Sequence, residues 1–193
     1  MRGTVNQDMR VKRTLDNIQA AFRKLVLENA YSDITVSALC TEAMIGRKTF
    51  YVYFESLDEL LEHTLEALTK KYIERIRNYV VPEDLRAITR EFYLFSVEQG
   101  KFYDNLVCSE NFQTIGSRLL MRFVRGTWAE SLWFSSLHKN EQDILVCFIY
   151  NTGAGLYRQW VLDGKKIPLE EMIGYADILL SRGIEGFKHS REC

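Results

Sequence analysis

Thr35 to Leu61 reads TVSALCTEAMIGRKTFYVYFESLDELL, and the fold turns on this stretch. A short helix with Val36, Leu39, Cys40 and Ala43 spaced to face inward breaks at Ala43-Met44-Ile45-Gly46. A second short helix, Arg47 to Tyr53, then sets Arg47, Lys48 and Tyr51 on one side and Phe50 and Phe54 on the other. Two helices joined by a turn of about three or four residues, the second bearing cations and a phenol on its free side, have helix-turn-helix geometry. The second helix of such a pair fits the major groove of DNA. The stretch therefore predicts a sequence-specific DNA-binding protein.

Working outward, the flanking sequence continues the helical pattern. Upstream, Thr14 is expected as the N-cap of a first helix that buries Ile18, Phe22, Leu25 and Val26 and ends near Asn29. Tyr31 and Ile34 fill the gap before Thr35, which caps the second helix. Downstream, Ser56-Leu57-Asp58-Glu59 is a Ser-x-x-Glu capping box. It opens a long helix with Leu57, Leu60, Leu61, Leu65, Leu68 and Tyr72 on one face, running to about Tyr79 before Pro82. Strand signals are nearly absent. Aromatic-rich helices are expected over 83–99, 102–109, 112–136, 140–163 and 168–188. The fold class is all-α: an arm and three-helix helix-turn-helix domain over 1–55, then a helical bundle over 56–193.

Composition narrows the function. The 193 residues carry a formal net charge of −1, so contact with nucleic acid must come from a local patch rather than from a uniformly basic surface. The arm supplies one, with Arg2, Arg10, Lys12 and Arg13 against Asp8. Cys40, Cys108, Cys147 and Cys193 are far apart and form no CxxC pair, as befits free thiols in a reducing compartment. His63, His138 and His189 belong to no Glu-x-x-His pair, and there is no Gly-rich phosphate loop or Gly-x-Ser-x-Gly elbow. No enzyme activity, metal or cofactor is expected. The start, MRGTVNQDMRVKR, has no apolar core of a secretion signal. The longest charge-free stretch, Ile144 to Tyr157, is too short to span a bilayer, which takes about 20 residues. A cytoplasmic protein without membrane contact is expected.

About residues 11 to 62 resemble the N-terminal domain of TetR-type transcriptional regulators. The resemblance lies in Thr49-Phe50-Tyr51-Val52-Tyr53-Phe54 with the following Leu60-Leu61, and in Ile34-Thr35-Val36 and Ala43-Met44-Ile45. The remainder is similar to the family in its all-helical character and in an ending where Gly155-Leu156-Tyr157-Arg158-Gln159-Trp160 and Asp163-Gly164 precede a Pro-started last helix. The resemblance implies a homodimer on a palindromic double-stranded operator, a dimer interface in the last two helices, and a small-molecule cavity in the bundle, which makes 56–193 the helical regulatory and dimerisation domain. Repression is the family's commoner mode. This chain departs from the pattern in having Met44 where the family usually has Gly, Gly46 where it has Ser or Thr, and Leu57 in place of a common Lys. Gly46 offers no side-chain oxygen to a helix N–H or a phosphate.

Arg47 and Lys48 start the recognition helix and are expected at base edges, where Arg or Lys to guanine is the commonest specific contact. Tyr51, Tyr53, Thr35 and Thr49 carry hydroxyls for phosphate oxygens, with packing as the competing role for Tyr53 and capping for Thr35. Lys12 and Arg13 are expected to add phosphate contacts from the arm, the alternative being a disordered, uninvolved tail. Gly153 and Gly155 inside a helix allow close approach, either of a two-fold partner or within the monomer. Leu156, Trp160, Met172, Tyr175, Leu179 and Phe187 would complete the dimer interface. The aromatics Phe92, Phe95, Phe102, Tyr103, Phe112, Phe123, Trp128, Trp133, Phe134 and Phe148 are either core or cavity wall. Glu91, Glu98 and Glu110 would suit a cationic effector if they faced it and are otherwise solvated. No effector is identified. The alternative is a helix-turn-helix regulator controlled by a protein partner, with a filled core and no small-molecule pocket.

Overall fold

The computed structural model describes the backbone of residues 2–189 and the side chains of residues 9–184. Helices account for the secondary structure of the described residues: α1 (Arg2–Glu28), α2 (Val36–Glu42), α3 (Arg47–Tyr53), α4 (Leu57–Ile76), α5 (Leu85–Glu98), α6 (Lys101–Val107), α7 (Glu110–Trp128), α8 (Leu132–Ser136), α9 (Lys139–Leu162) and α10 (Leu169–His189). The chain divides into two compact units, the first ending at Thr64 and the second beginning at Leu65. The division falls inside α4, eight residues beyond the start of its capping box. The first turns of α4 belong with α1: Thr64 Oγ1 donates to Gln19 Oε1 at 3.1 Å, and Gln19 Nε2 lies 3.2 Å from His63 Nδ1.

In the first unit the apolar stripe of α1 (Ile18, Phe22, Val26) closes over Leu39, Phe50, Leu60 and Leu61, all at 1% exposure or less. The Phe22 and Tyr31 rings meet edge to face at 6.2 Å, and Phe50 lies 5.9 Å from Phe54. Helix starts are satisfied locally. Thr35 Oγ1 accepts from Ala38 N at 3.1 Å, and Ser56 Oγ accepts from Glu59 N at 3.2 Å. The Glu59 carboxylate reaches back to Glu55 N, one residue earlier than a regular capping box. Lys24 ties α1 to the end of α2 through Glu42 at 2.8 Å.

Two expectations need correction here. α1 does not start at Thr14; it runs back to Arg2, and Thr14 Oγ1 instead donates to the Arg10 carbonyl one turn before it, at 2.9 Å. The basic residues read as an arm therefore include a helical turn carrying Arg10, Lys12 and Arg13. The helix expected over 112–136 is two helices, because Ser131 Oγ accepts from Phe134 N at 3.3 Å and starts α8 afresh. Neither Gly nor Pro marks that break in the sequence.

In the second unit α5, α7, α9 and α10 form the bundle, with α9 against both α7 and α10, and α5 against α10. Tyr93 and Tyr157 are fully buried at its centre. The Tyr93 hydroxyl donates to the Gly153 carbonyl at 3.2 Å, and the Tyr157 hydroxyl to Asp104 at 2.8 Å. Gly100, with φ 66°, makes the left-handed link between α5 and α6 that a side chain would resist. No helix among the described residues is long and apolar enough to cross a membrane.

Candidate nucleic-acid interface and bundle cavities

Helix α3 is held by its apolar side, with Phe50 and Phe54 buried, which leaves the opposite side to solvent. On that side Arg47 and Lys48 are exposed and make no ion pair or hydrogen bond among the described residues. Tyr51 is half exposed and Val52 is 75% exposed. Thr49 and Tyr53 are partly covered. Arg47 sits near enough to Cys40 to oppose the upward push that burial gives that thiol. Thr35 is exposed and its oxygen already accepts a helix N–H, but its own proton remains available to a phosphate. Lys12 and Arg13 are exposed on α1.

The turn holds a residue that sequence reasoning undervalued. Met44 adopts φ 54° and is 91% exposed, so it takes the left-handed conformation with a large apolar side chain in water. Gly46, at φ −77°, is the N-cap of α3 and does not need glycine's freedom. Met44 and Val52 were both legible only as helix-turn-helix letters; their exposure follows from which side Phe50 anchors.

The expected dimer residues separate. Gly153, Trp160 and Met172 are buried within the single chain, and Gly153 faces the Phe92 ring and the Tyr93 hydroxyl. These three are core positions, because side chains already cover them. Gly155, Tyr175 and Leu179 are exposed and Leu156 is partly so. The Phe187 side chain lies outside the described residues. Ile144 and Phe148 on α9 are exposed, as is Ile178 on α10, and Phe148 lies directly over Gly183 of α10. The two exposed apolar stripes are therefore neighbours.

Among the described residues of the second unit, three cavities share a wall. One of about 50 Å³ is bounded by Leu65, Leu68, Phe92, Phe95, Tyr103 and Phe112. Another of about 40 Å³ is bounded by Ile88, Tyr93, Ile149 and Leu180. The third, about 180 Å³, is walled by Val107, Phe112, Gln113, Asn151, Ala154 and Arg158. Tyr150 belongs to the wall of all three. Its hydroxyl is buried, makes no hydrogen bond within the protein, and stands against Gly116, where a Cβ would meet it. Burial pushes that phenol up, so it stays protonated. Of the aromatics weighed from sequence, Phe92, Phe95, Tyr103 and Phe112 line cavities. Trp128 and Phe134 instead stack edge to face at 5.6 Å in the core. Glu91, Glu98 and Glu110 line none of these three; Glu91 and Glu98 face Arg75 at 4.0 and 2.8 Å. No cluster of metal-ligating side chains occurs among the described residues.

No family model matches the chain. A 49-residue stretch is 45% identical to the HTH-type dhaKLM operon transcriptional activator DhaS of Lactococcus lactis subsp. lactis (strain IL1403). That match covers 25% of this chain and spans about a quarter (26%) of that relative's length. Among solved structures, a putative TetR-family transcriptional regulator from Syntrophomonas wolfei superposes with a TM-score of 0.66 at 19% identity, over 88% of this chain and 93% of the other. The regulator FadR from Bacillus subtilis, solved in complex with stearoyl-CoA, gives 0.63 at 16% identity, over 86% and 97%. The order of the helices, the helix-turn-helix within the first unit and these superpositions agree that the chain has the TetR-family fold, a helix-turn-helix unit followed by a helical bundle.

Proposed function

We propose that this protein is a TetR-type transcriptional regulator that binds a palindromic operator as a homodimer and releases it when a small molecule enters the bundle. The observation that carries the reading is α3: its Phe50 side is locked into the core while Arg47 and Lys48 face outward without ion-pair or hydrogen-bond partners among the described residues. Unpaired cations at a helix N-terminus, on the motif that docks in the major groove, are suited to guanine edges. Tyr51, Tyr53, Thr35 and Thr49 hold phosphates and fix the register, and Lys12 and Arg13 add charge from α1.

One helix-turn-helix makes few contacts, so tight binding calls for two, on half-sites about 34–36 Å apart or a multiple of it. The exposed stripes of α9 and α10, with Ile144, Phe148, Tyr175, Ile178 and Leu179, supply a self-complementary apolar surface for a two-fold pair, with Gly155 and Leu156 alongside. The cavities favour a small-molecule effector over control by a protein partner alone, since a bundle serving only as a docking scaffold has no use for them. An effector acts to the extent that it prefers one spacing of the two α3 helices over the other, with α4 as the connector. Repression follows if the bound dimer obstructs transcription; the DhaS relative, named an activator, supplies the opposite sign.

The test starts with DNA selected by the purified full chain from a random pool. A palindrome should emerge, with two chains bound per site by sedimentation. Transcription in vitro from a promoter overlapping that site should fall as protein is added. Selection of non-palindromic DNA, or a monomer at micromolar concentration, would overturn the reading.

A further inference from the structure

We propose that the bundle binds an amphipathic organic carboxylate, with its head group on Arg158 and its apolar part passing Tyr150 into the aromatic cavities. The proposal rests on the reading of the protein as a ligand-responsive regulator and names the class of ligand.

Charge decides the class. Among all the residues that line the three cavities, Arg158 is the one that carries a full charge, and no carboxylate lines any of them. Of the acids directly beside lining residues in the sequence, Glu66 pairs with Lys70 at 2.9 Å and Glu91 lies 4.0 Å from Arg75. Asp104, which shares the neighbourhood of Cys108 with Arg158, is held by the Tyr157 hydroxyl at 2.8 Å and by Lys165 Nζ at 2.7 Å. Arg158 Nε is buried and makes no hydrogen bond. A guanidinium taken partly out of water without a counter-charge is costly, and a planar carboxylate is the group that its fork of donors matches.

Shape decides the rest. The 180 Å³ cavity that Arg158 walls exceeds the roughly 150 Å³ that accommodates benzene in an engineered protein cavity. It is bordered by Gln113, Asn151 and Gly155, which lie at the surface and give it a mouth. Tyr150 separates it from the 50 and 40 Å³ cavities, whose walls are almost wholly aromatic and aliphatic. A rotation of that ring would join the three into one amphipathic channel, cationic at the mouth and apolar within. The Tyr150 hydroxyl, buried without a partner, would then donate to the carboxylate as a second anchor.

The test uses the full-length protein and three probes of one chain length: octanoate, 1-octanol and octylammonium. Calorimetry should show saturable binding of octanoate, at least tenfold tighter than either of the others. Arg158→Gln should bring octanoate down to the level of 1-octanol, while Arg158→Lys keeps part of the preference. Tyr150→Phe should weaken octanoate severalfold and leave 1-octanol unchanged. Circular dichroism of each variant establishes that it is folded, and the wild-type ranking of the three probes stands as a test needing no variant. Equal affinity for octanoate and octanol, a preference for octylammonium, or no binding of octanoate would each overturn the proposal. Operator affinity is measured on the same samples. Octanoate that binds through Arg158 without altering DNA affinity would sink the switch and leave the site. DNA binding with no carboxylate binding would sink the site and leave the regulator.

Discussion

At the scale of single residues, the proposed DNA-reading face of α3 would separate into groups that recognise and groups that hold. Arg47→Ala or Lys48→Ala should relax preference at one operator position and cost about 1–3 kcal/mol of binding. Tyr51→Phe removes only a hydroxyl, so affinity should fall on operator and scrambled DNA alike, by about 0.5–1.5 kcal/mol. Titrations against both DNAs at two salt concentrations check this. If both cation variants kept full affinity and preference, α3 would not be the reader. Met44 allows a stability prediction. A side chain in the left-handed region costs about 1–2 kcal/mol, whereas glycine there adds back about 0.4–1 kcal/mol of unfolded-chain entropy. With Met44 91% exposed, no packing is lost, so Met44→Gly should stabilise the protein by about 0.5–1 kcal/mol in urea denaturation. The solvent-facing side of α3, with Arg47 and Lys48, was legible because Phe50 and Phe54 fix which way the helix faces. Arg158 and Tyr150 were not legible, although Arg158 is the first charge after the long apolar run from Ile144. Whether an arginine at such a boundary faces water or a cavity depends on packing that periodicity does not encode.

At the scale of elements, caps explain both what the sequence revealed and what it hid. Thr35 and Ser56 stand before apolar runs in recognisable patterns, and both accept helix N–H groups as expected. Ser131 does the same work inside a run that keeps its helical spacing on either side, so α7 and α8 read as one helix. α1 began earlier than expected because nothing before Thr14 breaks a helix, and a cap-like residue can sit mid-helix by donating to the previous turn. Between α5 and α10, Arg90 grips Glu170 at 2.6 Å and holds its carboxyl below the ordinary value. A lowered carboxyl favours the folded state above the ordinary carboxylate range, and that contribution disappears as pH falls through the lowered value. The pair is exposed, so salt should weaken it. Arg90→Ala should return the Glu170 titration upward, as followed by carbon-detected NMR. An unmoved titration would mean that the pair does not persist in solution.

At the scale of the whole molecule, the all-helical fold and the N-terminal helix-turn-helix were legible in the sequence, while the inner and outer faces of α9 were not. Gly153 and Gly155 are two residues apart and so cannot share a face: one backs onto Phe92 and the other meets solvent. If α9 and α10 pair across a two-fold axis, Leu179→Glu places a charge twice in one apolar patch. Sedimentation should then show monomer, and operator affinity should collapse with it, while circular dichroism stays that of the folded chain. Dimers of unchanged strength would move the interface elsewhere.

The phenol of Tyr150, shut away without a hydrogen-bond partner, carries an unsatisfied donor at a cost of about 1–3 kcal/mol. An occupant that satisfies it adds its own binding free energy to the folded state, about 2.7 kcal/mol at a hundredfold excess over its dissociation constant. Proteases that act on transiently opened chains sample that difference directly. Half-life under dilute thermolysin should therefore lengthen as occupant is added, and Tyr150→Phe should lengthen it with none present. If the bundle takes an effector as proposed, the number of copies in a cell would rise with the supply of that occupant, and turnover of the protein would be metered by the compound it binds.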